Sequence, residues 1–257
     1  FFNDTATTEI YTLSLHDARP IVTEDIPVID AAWAVGLDEG TERGINVRSV
    51  QWNVGRANDT ASAETQLATP SGDDRILFQS ADDLVFEFVN FNQDIDSGSG
   101  IGVFRGGSPV EAREIEDTNL AEAGLIDPDG NTDNFAIEAT AYLAFTEAGI
   151  YTMGVNSDDG FRVTTGLFPT VEDGTLELGV FSGGRGASSD AFQSTFRMVV
   201  PEPGIYAFRF IGYEGGGGAS MEWYSIDDGT PYLINDDAGI PAFVGRTRDP
   251  EPPVEIG

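Results

Sequence analysis

The segment Val155-Asn156-Ser157-Asp158-Asp159-Gly160-Phe161 sets two adjacent carboxylates at a turn between two apolar runs. Calcium takes six to eight hard oxygens, and two neighbouring carboxylates supply a dense pair. Successive strand residues point to opposite faces. Further on, Tyr213-Glu214-Gly215-Gly216-Gly217-Gly218 offers another carboxylate, and glycines that let carbonyl oxygens approach closely. Asp158, Asp159 and Glu214 are therefore the candidate metal ligands. Asn156, Ser157, Gly216 and Gly217 are the candidates for ligand contacts. The competing reading is a plain acidic turn, because Asp and Gly are the commonest turn residues.

A second acidic loop, Asp127-Pro128-Asp129-Gly130-Asn131-Thr132-Asp133, has oxygens at alternate positions and Glu138 beyond it. That spacing is similar to a calcium loop, with Asp127, Asp129, Asn131 and Asp133 as ligands. Thr132, however, stands where such a loop needs Gly, and Glu138 lies in a strand-like run. An Asx-rich loop is the alternative. Asp94–Gly100 reads as a solvated acidic linker. Paired acids also occur at 73–74, 82–83, 227–228 and 236–237, so no single pair is diagnostic. Gly215–Gly218 is no phosphate loop, since no Lys follows it. Gly183-Gly184-Arg185-Gly186 reads as a mobile loop at one end of the fold, with the lining of a ligand site as the alternative.

Composition removes most other chemistry. The 257 residues hold 44 acids, 13 bases, one His and no Cys, for a net charge of -31. All the bases are arginines. A phosphate backbone needs clustered cations, so nucleic acid is excluded as a partner. Without Cys there is no thiol nucleophile and no disulfide. Without Lys there is no Schiff base. No apolar run reaches the roughly 18 residues of a membrane helix. The spacing of the acids selects no glycosidase pair, and the chain reads as a non-enzyme.

Residues 3–21, NDTATTEIYTLSLHDARPI, resemble the translation of a sequencing adapter, with Arg19 the one departure. We read 1–21 as foreign to the protein and leave it out of the fold. His16, the single histidine, falls inside this segment. No imidazole then remains for a catalytic triad or a zinc site.

The remaining sequence reads as all-β. Expected strands are Ile45–Val54, Arg75–Gln79, Leu84–Phe91, Phe135–Phe145, Ile150–Val155, Phe161–Thr165, Thr175–Phe181, Phe192–Val200, Ile205–Tyr213, Ala219–Ser225 and Tyr232–Ile234. Thr60–Ala68 suits a two-turn helix capped by Asp59 or Thr60 and stopped by Pro70. Leu120–Gly124 suits one turn. Trp223 alternates with Met221 and is expected in the core. Trp52 and Trp33 are left open between core and surface. The expected organisation is a lead-in over 22–44, one sandwich over 45–246 and a Pro-rich tail over 247–257.

Two blocks carry a family resemblance. The first is Thr146–Val163, T-E-A-G-I-Y-T-M-G-V-N-S-D-D-G-F-R-V. The second is 201–224, P-E-P-G-I-Y-A-F-R-F-I-G-Y-E-G-G-G-G-A-S-M-E-W-Y. Together they resemble the PA-fourteen (PA14, protective-antigen N-terminal) domains. The matching positions are Gly149, Tyr151, Ser157, Asp158, Asp159 and Gly160, then Gly204, Tyr206, Arg209, Tyr213, Glu214, Gly218, Ala219 and Trp223. The clear match spans about 133–225. The resemblance implies a jelly-roll-like β-sandwich. In the lectin branch it implies a cis peptide between the two aspartates, calcium held by them, and two sugar hydroxyls on the calcium. One departure stands out: calcium lectins carry an asparagine in the second loop, and here Glu214 offers a carboxylate instead.

The expected function is a non-catalytic extracellular or cell-surface module, one of several domains in its parent chain. It would bind calcium and, through it, glycans or a surface polysaccharide. An adhesive spacer without a small ligand is the alternative. So is an accessory domain of a glycan-active enzyme. The high acidity suits salty, calcium-containing water outside a cell, where ions screen self-repulsion.

Overall fold

The computed structural model describes residues 25–82, 84–93, 102–104, 115–167 and 175–247. The adapter-like segment 1–21 with His16, the 94–100 loop and the tail after 247 lie outside them. Two sheets pack face to face. The larger contains β1 (Ile45–Trp52), β2 (Ile76–Gln79), β3 (Leu84–Phe86), β6 (Phe135–Phe145), β8 (Gly160–Gly166), β9 (Leu176–Phe181), β11 (Gly204–Glu214) and β14 (Ala242–Phe243). Its order is β2-β1-β6-β11-β8-β9, with β3 on β1 and β14 on β6. The smaller contains β4 (Asn90–Asn92), β5 (Thr118–Asn119), β7 (Gly149–Asp158), β10 (Thr195–Val200), β12 (Ser220–Asp227) and β13 (Thr230–Leu233), in the order β10-β7-β12-β4-β5 with β13 on β12. All pairings are antiparallel except β4 with β5. This is the all-β sandwich that the resemblance implies.

The core lies between the sheets. Tyr206, Phe208 and Phe210 of β11 meet Trp223 of β12 there, with the Phe210 and Trp223 rings stacked at 5.8 Å. Trp223 is thus a core residue, as its alternation with Met221 indicates.

Every residue of β11 is buried, although a half-exposed strand would alternate. The outer face of the larger sheet is covered too. Helix α1 (Thr60–Leu67) lays Ala63 and Leu67 against Ile211 and Tyr213. Asp59 caps it, accepting from the Ser62 backbone N–H at 2.7 Å, as its sequence position predicts. The lead-in covers more of the structure: Val35 bridges Ile205, and Val28 bridges Val199. Arg209, in the same buried strand, pairs with Glu64 of α1 at 2.8 Å and with Glu138 of β6.

Two expectations change. Leu84–Phe91 is not one strand. Leu84–Phe86 joins the larger sheet, Asn90–Asn92 joins the smaller, and the chain crosses between them at 87–89. Apolar residues sit at both ends of the run because both ends reach the shared core, where Phe86 and Phe91 meet edge to face at 5.2 Å. Leu120–Gly124 is a set of hydrogen-bonded turns rather than a helical turn, closed by Gly124 at a φ of 70°. No helix among the described residues is long and apolar enough to cross a membrane.

Candidate metal and ligand site

The two aspartates lie at a corner of the sandwich. β7 of the smaller sheet ends at Asp158 and β8 of the larger begins at Gly160. The Asp158-Asp159 peptide is cis, as the resemblance implies. Gly160 is confined between strands: a Cβ there would lie 2.1 Å from the Tyr213 hydroxyl oxygen and 2.6 Å from the Phe181 carbonyl oxygen. Only glycine lets the chain turn this tightly against its neighbours.

Glu214 ends β11, and the Gly215–Gly218 loop returns the chain to the smaller sheet at β12. Both corners sit at the same end, so Asp158, Asp159 and Glu214 converge. One ligand oxygen from each lies within 4.8 Å of the others, the one such group among the described residues. The residues named for the metal are therefore together in space.

Electrostatics at this corner favour a cation. Burial and then the charges of Asp159 and Asp158 push the Glu214 carboxyl up to about 9. Burial and Asp159 raise Asp158 to about 6. Three carboxylates in so small a volume repel each other, with Arg56 and Arg185 the cations that interact with them. Glu214 is fully buried; its Oε1 accepts the Gly216 N–H at 2.5 Å, and its Oε2 has no hydrogen-bond partner among the described residues. A buried acceptor without a donor is costly. A hard cation would satisfy it, so the residues present fit calcium.

Asp159 is held from three sides. Its Oδ2 accepts from Asn58 Nδ2 at 2.6 Å and from the Gly215 N–H at 2.9 Å. Its Oδ1 accepts from the Arg185 N–H at 3.0 Å. The Arg185 side chain donates to the Ser157 carbonyl at 3.1 Å, to Ser157 Oγ at 2.9 Å and to Ser194 Oγ at 2.5 Å. Its guanidinium lies 4.5 Å from the Phe181 ring centre. Burial lowers the Arg185 pKa.

The remaining candidates take different places. Asn156 and Ser157 are buried beneath the pair. Asn156 donates to Glu222 Oε2 at 2.7 Å and accepts from the Ser188 N–H at 2.7 Å. Ser157 Oγ donates to the Asp159 carbonyl at 3.0 Å. Gly216 and Gly217 are exposed on the rim. In the second acidic loop, Asp127 Oδ1 accepts from the Asp129 N–H and Asn131 Oδ1 from the Asp133 N–H, both at 3.0 Å. These are Asx turns closed on their own backbone. Asp133 leans instead toward the glycine loop, with its Oδ1 3.4 Å from the Gly217 nitrogen.

Nothing in the sequence singles out Asn58, and Arg185 stands there only within a loop that could line a ligand site. Asn58-Asp59-Thr60 reads as a helix start, and no local signal points to a residue in another part of the chain.

The fold and this corner together define a PA14-type β-sandwich. No protein-family model matches the chain, and no curated protein sequence matches it. Among solved structures, the chain is similar to a PA14 sugar-binding domain from an RTX adhesin. That likeness has a TM-score of 0.51 and 14% identity, and covers 79% of this chain and 99% of the other. Another similar structure is the epithelial adhesin 9 A domain from Candida glabrata in complex with Galβ1-4GlcNAc. There the TM-score is 0.48 and the identity 11%, over 85% of this chain and 96% of the other.

Proposed function

We propose that this domain is a non-catalytic, calcium-dependent carbohydrate-binding module. The observation that carries the reading is the convergence of Asp158, Asp159 and buried Glu214, with Glu214 Oε2 lacking any donor. Calcium bound there would supply a hard centre whose open positions take two neighbouring sugar hydroxyls. The chain's own residues do the rest. Arg185 and Ser157 fix the backbone of the aspartate pair. The exposed glycines 216–218 leave room for a ligand beside half-buried Asp158. The sugar-binding adhesin domain of similar fold supports this reading. The acidity of the chain fits work outside a cell or at its surface, as one module of a larger protein.

The test is a thermal melt with excess calcium, with chelator, and with magnesium as a charge control. Calcium at a hundredfold over its dissociation constant adds about 2.7 kcal/mol. For a domain of this size that is a rise of roughly 5–10 °C. A calcium-specific rise, followed by calcium-dependent retention on a glycan array, supports the module. No rise leaves an adhesive spacer as the better account.

A further inference from the structure

We infer that Asn58 is a fourth side-chain ligand of the Asp158, Asp159 and Glu214 site, acting through its amide oxygen. This rests on the calcium reading above and adds a residue from a third part of the chain.

Asn58 precedes the Asp59 cap of α1, distant in sequence from both site loops. Its Nδ2 donates to Asp159 Oδ2 at 2.6 Å. Its Oδ1 is buried and has no hydrogen-bond partner among the described residues. A second orphaned oxygen, Oε2 of fully buried Glu214, belongs to the same cluster. Unmade acceptors are rare in folded proteins, so the Glu214 oxygen points to a missing positive partner at the site and the Asn58 oxygen to an amide whose present pose leaves its acceptor end unused.

Both loops are cut back around this amide. A Cβ on Gly215 would lie 2.9 Å from Asn58 Cγ, and one on Gly184 3.1 Å from Asn58 Nδ2. Two glycines thus form a cradle that any larger residue would fill.

The planar amide has a donor end and an acceptor end, and a half-turn about its last side-chain bond exchanges them. With the site free of metal, the N–H2 end relieves the charge of Asp159. With the site loaded, the C=O end faces the cation. This ties the start of α1 to metal binding.

The test uses the full chain, calcium titration calorimetry, and Tb³⁺ luminescence lifetimes in H2O and D2O, which count the waters on the bound ion. Asn58→Ala should weaken calcium binding about tenfold or more and add one water to bound Tb³⁺. Asn58→Asp keeps an oxygen but loses the donor, and should hold calcium affinity at or above wild type with an unchanged water count. If Asn58→Ala fails to fold, Asn58→Asp decides. Unchanged affinity and water count in Asn58→Ala overturn the inference. So does an Asn58→Asp variant that binds as poorly as Ala, because donation to Asp159 would then be the whole role. Wild-type protein that binds no calcium overturns the calcium reading itself, before any variant is compared.

Discussion

Arg185 grips Asp159 from both ends. Its backbone N–H donates to Asp159 Oδ1 at 3.0 Å, while its guanidinium reaches the Asp159 backbone carbonyl at 3.3 Å. The loop that follows β9 is thereby locked onto the corner between β7 and β8.

Arg185→Ala should cost about 1.5–3 kcal/mol, because hydrogen bonds from a charged group are among the stronger ones. At roughly 2–4 °C per kcal/mol the melting temperature should fall by several degrees. Arg185→Lys should restore only part of it, since an ammonium lacks the planar fork that serves Ser157 and Ser194 together. Differential scanning calorimetry of the three proteins measures this.

Glu214→Gln should separate stability from metal binding. The carboxyl is buried beside two other acids and is pushed up to about 9. A carboxyl raised that far must take up a proton on folding near neutral pH, a cost that a neutral amide does not carry, so the chelated protein should melt higher than wild type. The calcium-induced rise of roughly 5–10 °C expected for wild type should shrink or vanish. A variant that keeps the full rise would place the metal elsewhere.

Arg209→Met is the complementary control. Arg209 is buried between Glu64 and Glu138, 3% exposed. Removing one partner of a buried ion-pair network leaves charge unpaired and costs about 3–5 kcal/mol. The melting temperature should drop sharply while the calcium-induced rise persists, because the network lies under α1 and shares no ligand with the corner site. Paired melts with calcium and with chelator read both effects.

Glu222 gives a pH signature of its own. It is buried in β12 and accepts from the N–H groups of Val103 and Phe104 and from Asn156. Burial outweighs those bonds and raises its carboxyl to about 7. A raised folded pKa means that its contribution is fully present below the unfolded value, near 4.5, and is lost as pH climbs through 7. Wild type should therefore lose up to about 3 kcal/mol more than Glu222→Gln between those pH values. Denaturant titrations at pH 4.5, 6 and 8 compare the two slopes.

Much of the architecture is legible in local sequence. Phe135–Phe145 is β6 at both of its expected ends, because its apolar pattern and flanking turn residues define the strand directly. Asp59 caps α1, because a helix start is a matter of a few adjacent residues. The Leu84–Phe91 run shows the limit. Most of its residues are strand-formers, and only the partners available, β1 on one side and β12 on the other, divide it. Glu138 reads as one more polar position in a strand. It becomes the partner of Arg48 and Arg209 when β1 and β11 flank β6.

The same division holds at the candidate site. The sequence by itself determined the acidic pair, the glycine that follows it, the glycine-rich second loop and the alternation that makes a sandwich. Those are properties of neighbouring residues, set by turn geometry and strand period. Tertiary structure alone decided that Glu214 meets the pair, that Arg185 braces it from behind and that Asn58 brings an unpartnered oxygen from the start of α1. Side chains from four separate parts of the chain meet only after two sheets have packed and both corners have come to the same end, and no local pattern encodes that meeting.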